Sequence, residues 1–273
     1  MWQGMVKFMI KLKKNEMHKI TFLFEEIKET MIWSCLQGHM GNAWADSVES
    51  PKCAQVLTGD FCVYAGESHI HEALLLVKNI PAFHKTPFIL MVPENESWGA
   101  LIEKEYEGKY EKYFRYAFKK EKDIFDIAKL KMFVDKLPSE YELVPIDERL
   151  YGLASQEKWS SDLCSQFSSY DDYKKRGIGY AILHLGKLVC GASSYTIYDE
   201  GIEIEIDTKE EYRQKGLATI CAAKLILECI DRGLYPSWDA ANKESLALAE
   251  KLGYHFDREY ITYEIDCTKL ERA

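Results

Sequence analysis

The most constraining feature of this chain is one stretch of its second half. Glu203-Ile204-Glu205-Ile206-Asp207-Thr208 is followed by a polar run over residues 209–215 and then by Gly216-Leu217-Ala218-Thr219. Alternating carboxylates and isoleucines read as a strand with one apolar face. The polar run reads as a turn, and a glycine opening an apolar segment reads as a helix start. In physical terms this is a place for an anion. The first helical turn carries N–H groups without intrahelical acceptors and a partial positive charge. Gly216 admits a ligand close to the backbone, and Ala218 keeps the start uncrowded. Arg213 and Lys215 add cationic support. A pyrophosphate suits this corner, although the same letters also fit an ordinary strand-to-helix turn with solvated charges.

The surroundings have a definite order. Residues 179–185, 188–198 and 202–208 read as an antiparallel meander, turned at Gly186-Lys187 and at Asp199-Glu200-Gly201. A helix over 217–231 places Ala218, Ala222, Leu225 and Cys229 on its buried stripe and ends at Arg232-Gly233. A short strand over 235–238, a helix over 242–252 stopped by Gly253, and a returning strand over 254–265 complete this half, with one or two helices over 149–167 before it. The first half alternates as well. It reads as an amphipathic helix over 20–37 built on Phe22, Phe24, Ile27, Met31 and Cys35, and a hairpin around Gly59-Asp60. Helices over 71–77, 98–106 and 124–136 and strands over 87–92 and 113–118 follow. Pro138-Ser139-Glu140 marks a boundary between an N-terminal α/β domain, 1–138, and a second domain, 139–273.

Charge narrows the partners. From Tyr141 onward there are 24 acidic against 16 basic residues, so −8 of the net −9 lies in the second half. A nucleic-acid binder shows a basic face, so no nucleic-acid partner is expected; a cationic substrate suits this field. The eight cysteines form no CxxC pair and lie mostly in apolar runs, which reads as reduced, buried thiols in a cytoplasmic protein. No apolar run is long enough to span a bilayer, so no membrane partner is expected. Met5, Met9 and Met17 leave the natural start open. His69-Ile70-His71 lacks a neighbouring carboxylate or thiolate cluster, so no metal is expected.

Two motifs in order carry a family resemblance. Arg213-Gln214-Lys215-Gly216-Leu217-Ala218 resembles the pyrophosphate loop of the GNAT superfamily of N-acetyltransferases, (Arg/Gln)-x-x-Gly-x-(Gly/Ala). The segment from Asn242 to Tyr254, with Ser245 three residues after the asparagine and a closing Lys251-Leu252-Gly253-Tyr254, resembles that family's next helix. The resemblance covers residues 141–266 and implies an α/β (α+β) fold whose mixed, mostly antiparallel sheet is flanked by helices. It implies acetyl-CoA entering a gap where the last meander strand splays from the next parallel strand. Backbone groups of Ile206, Asp207 and Thr208 would meet the pantetheine arm. The N–H groups of Gln214, Lys215, Gly216, Leu217, Ala218 and Thr219 would cradle the pyrophosphate, with Asn242 and Ser245 near the thioester end.

An amine must lose a proton before it attacks. Glu203 and Glu205 share one strand face with Asp207, and either could accept that proton directly or through water. Glu205 is preferred, and Asp207 could instead hold a cationic substrate. Ala249 stands where many relatives carry the tyrosine that protonates the leaving thiolate. Tyr254, another tyrosine, or no dedicated acid takes over. The first reading is therefore acetyl transfer to a primary amine of a small cationic acceptor. The second is a catalytically weak or inactive acyl-CoA-binding or sensing module. The first domain reads as a diverged, CoA-free copy of the same fold, and a homodimer is an allowed assembly.

Overall fold

The computed structural model describes residues 9–270. In chain order the strands and helices begin with β1 (Ile10–Lys11), α1 (Thr30–Leu36), β2 (Asn42–Ala45), β3 (Cys53–Thr58), β4 (Phe61–Gly66), α2 (His71–Lys78), β5 (Phe88–Pro93) and α3 (Glu96–Glu105). They continue with β6 (Tyr110–Phe118), α4 (Ile127–Val134), β7 (Tyr141–Pro145), α5 (Glu148–Ala154), α6 (Tyr170–Arg176), β8 (Gly179–His184), β9 (Lys187–Tyr198) and β10 (Gly201–Thr208). Last come α7 (Leu217–Asp231), β11 (Tyr235–Ser237), β12 (Asp239–Ala240), α8 (Lys243–Leu252) and β13 (Phe256–Asp266).

Two compact units divide these elements: Met1–Arg115 with Tyr260–Ala273, and Tyr116–Glu259. The division therefore does not fall at Pro138. Helix α4 packs on α7 and joins the second unit, and β13 carries the chain back into the first. In the first unit β1, β2, β3 and β4 pair antiparallel in sequence order, β4 pairs parallel with β5, and β5 pairs antiparallel with Tyr263–Asp266 of β13. Its core gathers Trp98, Tyr64, Met91, Ile89 and Tyr263, with Tyr64 and Trp98 stacked at 5.4 Å. Asn95 starts α3 by accepting from the Ser97 and Trp98 N–H groups, which fixes the face that buries Trp98 and Ile102.

The second unit holds a five-stranded sheet, β11-β10-β9-β8-β7, antiparallel except for the β10–β11 pair. This is the mixed, mostly antiparallel sheet expected from the sequence. Strand β9 is buried along nearly its whole length, which explains its small residues Gly191, Ala192, Ser193 and Ser194. Ser193 and Ser194 are buried with partners: Tyr173 Oη lies 2.8 Å from Ser193 Oγ, and the Ile178 N–H donates to Ser194 Oγ at 3.0 Å. Helix α7 buries more than one stripe. Beside Ala222, Leu225 and Cys229 it buries Leu217, Ile220, Cys221, Ala223 and Ile226, while Ala218 is half-buried.

The single helix expected over 20–37 is instead two pieces, a 3-10 stretch at Lys14–Phe24 and α1. Met17, Ile20 and Phe24 bury one face and Met31, Ile32 and Cys35 another, while Phe22 is exposed. The mixed three- and four-residue spacing thus joined two separate faces. Strands β2 and β7 were not anticipated. All eight cysteines are buried.

Candidate functional site

The candidate site is built from the end of β10, the turn after it and the first turn of α7. Strand β10 pairs with β11 only over Gly201–Glu203, the last rung being Glu203 with Ser237. It then runs on to Thr208 while its other edge stays paired with β9. Five residues of β10 edge, about 16 Å at ordinary strand rise, are thus left without β11. A bulge begins the separation. Glu203 faces Thr196 and Ile204 faces Ser194, so Tyr195 is an extra residue in β9 at the point where β11 is left behind. The splay expected from the family resemblance is present in the fold.

The turn is held from below. Tyr212 ends a 3-10 turn, and its hydroxyl lies 2.9 Å from His184 Nδ1, with Tyr141 packed against both rings. Arg213 turns back so that its Nε donates to the Thr208 carbonyl at 3.2 Å, and the Lys215 ammonium sits 4.7 Å from the Tyr212 ring centroid. Gln214 (φ 61°) and Gly216 (φ 80°) both adopt the left-handed region. That conformation is uncommon for glutamine. No side chain caps α7, and the first amide bonded within the helix is that of Ile220, to the Gly216 carbonyl. A Cβ built on Gly216 would meet no protein atom within 4 Å. The corner is therefore an open cradle that fits a diphosphate, with Arg213, Gln214, Lys215 and Gly216 exposed.

The carboxylates on β10 differ in setting. Glu203 is only 4% exposed and lies near Tyr198, Tyr235 and Tyr254, whose ionisation its charge disfavours. Glu205 and Asp207 are half-buried. Burial first, and the neighbouring Asp162 second, push the Asp207 carboxyl up to about 7, with Arg213 acting in the opposite direction. Ile206 and Thr208 take the other face, where the Thr208 hydroxyl donates to Cys190 Sγ at 3.2 Å.

Asn242 and Ser245 sit at a different corner, the start of α8. Asn242 Oδ1 accepts from the Ser245 N–H at 2.8 Å, and Ser245 Oγ accepts from Trp238 Nε1 at 3.1 Å. Both side chains predicted near the thioester thus make local bonds. Ala249 is fully buried. The Tyr254 hydroxyl donates to the Pro236 carbonyl, and burial raises its pKa well above the ordinary value. Tyr254 is therefore committed to the core, not poised as a proton donor.

One further group at this corner has no signature in the sequence. Lys251 Nζ donates to Thr219 Oγ1 at 3.2 Å, on the first turn of α7, and lies 5.4 Å from the Phe133 ring centroid. Lys129 and Lys136 lie 5.9 and 5.7 Å from the same ring. The three ammonium groups thus surround one ring beside the first turn of α7. Lys129 and Phe133 are one helical turn apart, but nothing in the sequence ties them to Lys251.

Known proteins resemble this arrangement. A family model described as GNAT acetyltransferase matches residues 21–263. A GCN5-related N-acetyltransferase-like protein from Streptococcus suis 89/1591, solved by crystallography, is 43% identical with a TM-score of 0.85, over 92% of this chain and 98% of that one. An uncharacterized N-acetyltransferase, YdfB of Bacillus subtilis (strain 168), is 36% identical over 137 residues, 47% of this chain and 49% of that protein. The chain thus matches about half the length of that relative. A tandem GNAT protein from the clavulanic acid biosynthesis pathway shares the fold at 11% identity and a TM-score of 0.56, over 97% of this chain and 99% of that one. With its splayed strand and open helix start, and with the family model covering most of its length, the chain belongs to the GNAT acetyltransferase family.

Proposed function

We propose that the protein moves an acetyl group from acetyl-CoA to a primary amine of a small, cationic acceptor. The observation that carries this is the open, uncapped start of α7 at the end of an unpaired strand edge. Bound there, acetyl-CoA supplies an activated thioester, whose carbonyl carbon gains a bond to the amine nitrogen as its bond to sulfur breaks. In this reading the N–H groups of Gln214 to Thr219 hold the diphosphate, and Arg213 and Lys215 add charge. Lys129, Lys136 and Lys251 take the remaining phosphate. Backbone groups of Ile206, Asp207 and Thr208 meet the pantetheine arm.

Glu205 accepts the amine proton, directly or through one water. It is the first carboxylate beyond the last β10–β11 rung, whereas Glu203 sits on that rung and is buried. Asn242 and Ser245 shape the facing wall through the bonds they make. With Ala249 in the family's tyrosine position and Tyr254 engaged, the thiolate leaves without a tyrosine donor. The same observation favours a second reading, an acyl-CoA-binding module without turnover. The acidic second half suits a cationic acceptor, and eight buried thiols suit the reducing cytoplasm. The fold likeness to a tandem GNAT protein supports reading the first unit as a diverged copy of the same fold.

The test pairs CoA titration with thiol release across a panel of primary amines. Glu205→Gln is expected to lower turnover about 10²- to 10⁴-fold with CoA affinity unchanged. Wild-type binding with no amine turned over selects the second reading. Absence of CoA binding removes both.

A further inference from the structure

The first unit contains a cavity of about 870 Å³ that the acyl-transfer reading does not use. Its size falls within the range of small-molecule sites, roughly 300–1,000 Å³. Four lysines line it, Lys78, Lys85, Lys109 and Lys269, against a single lining carboxylate, Glu105. Ile80, Tyr106 and Leu270 supply apolar wall. The walls are fixed: the Tyr106 hydroxyl donates to the Val77 carbonyl at 2.9 Å, and His84 Nε2 lies 2.8 Å from the Phe88 carbonyl.

The sign of the charge decides what such a cavity takes. Lys78 pairs with Glu105 at 3.2 Å and Lys269 with Asp266 at 3.1 Å. Lys85 and Lys109 have no carboxylate at ion-pair distance among the described residues. The C-terminal ends of α2 and α3 both reach the cavity and together bring about one negative charge. The Lys85 and Lys109 ammonium groups outweigh this, so among the described residues the cavity lining is positive in a chain of net charge −9. Lysines placed only to complement helix ends would occupy the last helical turns, as Lys78 does; Lys85, Lys109 and Lys269 lie outside helices α2 and α3.

We infer that this cavity is a binding site for a small organic anion, an anionic head group on an apolar body. Lys85 and Lys109 hold the head group, and Ile80, Tyr106 and Leu270 face the body. The site is independent of the acyl-transfer reading.

Phenyl phosphate, phenylacetate and neutral benzyl alcohol serve as probes, titrated calorimetrically into the full chain. The expected result is saturable binding of at least one anion, weakened about tenfold or more in Lys85→Gln/Lys109→Gln. Lys85→Arg/Lys109→Arg should retain the binding, and thermal melts of both double variants should match wild type without ligand. Tighter phenyl phosphate than phenylacetate identifies a phosphate ligand, and the reverse a carboxylate. The inference is overturned if neither anion saturates, if benzyl alcohol binds as tightly as the anions, or if the Gln double variant binds them as wild type does.

Discussion

Helices α7 and α8 start in opposite ways. At α8 the chain satisfies its own helix end: Asn242 accepts the Ser245 amide, and Ser245 in turn accepts from Trp238. At α7 no side chain caps the start, two consecutive-but-one residues are left-handed, and the space a Gly216 side chain would fill is empty. A capped start has used part of its positive potential internally. An uncapped start keeps its N–H groups for water or for a guest. Within one unit, then, the same helix-end chemistry serves structure at one corner and is available for binding at the other.

The sharpest way to break this contrast is to close the open start. Gly216→Asp places a carboxylate where α7 now has none. Asp tolerates the left-handed region better than most residues, and no protein atom within 4 Å opposes its Cβ. The variant should fold, with a thermal midpoint a few degrees below that of wild type because a side chain at φ 80° is strained. It should bind CoA about 100-fold more weakly, because charge-assisted bonds worth roughly 2–3 kcal/mol are replaced by repulsion. Unchanged affinity in a folded Gly216→Asp protein removes the cradle from the binding site.

Asp207 sharpens the contrast through pH. Its carboxyl is pushed up to about 7 in the folded chain from the ordinary 3.8. The folded protein therefore keeps this proton over a range in which the unfolded chain has lost it. Stability from this group is retained at acid pH and falls as pH rises from about 4 to about 7. Asp207→Asn should flatten that slope and raise the thermal midpoint at pH 8. An anion bound at the cradle would raise the same pKa further, so CoA binding should take up a proton. Affinity should fall as pH climbs through 7, by about tenfold for each pKa unit of added shift. Asp207→Asn should remove the part of that pH dependence carried by the carboxyl. A pH profile identical in wild type and variant places the diphosphate away from this carboxyl.

The open corner was legible in the sequence because every signal there is local. Alternating Glu203, Glu205 and Asp207 fix the strand face, and Gly216 marks the turn into an apolar helix. The β8–β10 meander was legible for the same reason, its turns being short and rich in glycine. Strand β7 was hidden because Glu142 interrupts its apolar residues, and β2 because four residues carry too little pattern. Lys129, Lys136 and Lys251 meet through tertiary packing, as do Lys85, Lys109 and Lys269, so no spacing announced either group. Asparagine suits both a helix start and a ligand, and residue type alone does not separate the two for Asn242. Only the 2.8 Å bond to the Ser245 amide identifies its structural use.

The smallest of the expected effects, at Asn242, compares the two corners most directly. Asn242→Ala removes the α8 cap and should destabilise the protein by about 1 kcal/mol in denaturant melts. Asn242→Asp should recover most of the loss, because its carboxylate accepts the same amide. If the side chain acts only on α8, CoA affinity in Asn242→Ala should stay within about twofold of wild type, below the tenfold that 1.4 kcal/mol represents. A role on the pantetheine arm leaves a different mark: affinity or turnover lost in Asn242→Ala that Asn242→Asp does not restore along with stability, since the carboxylate keeps the cap but has no amide to donate. Stability and ligand response separate at α8 because its helix end is already satisfied, whereas at α7 any side chain that satisfies the helix end competes with the guest.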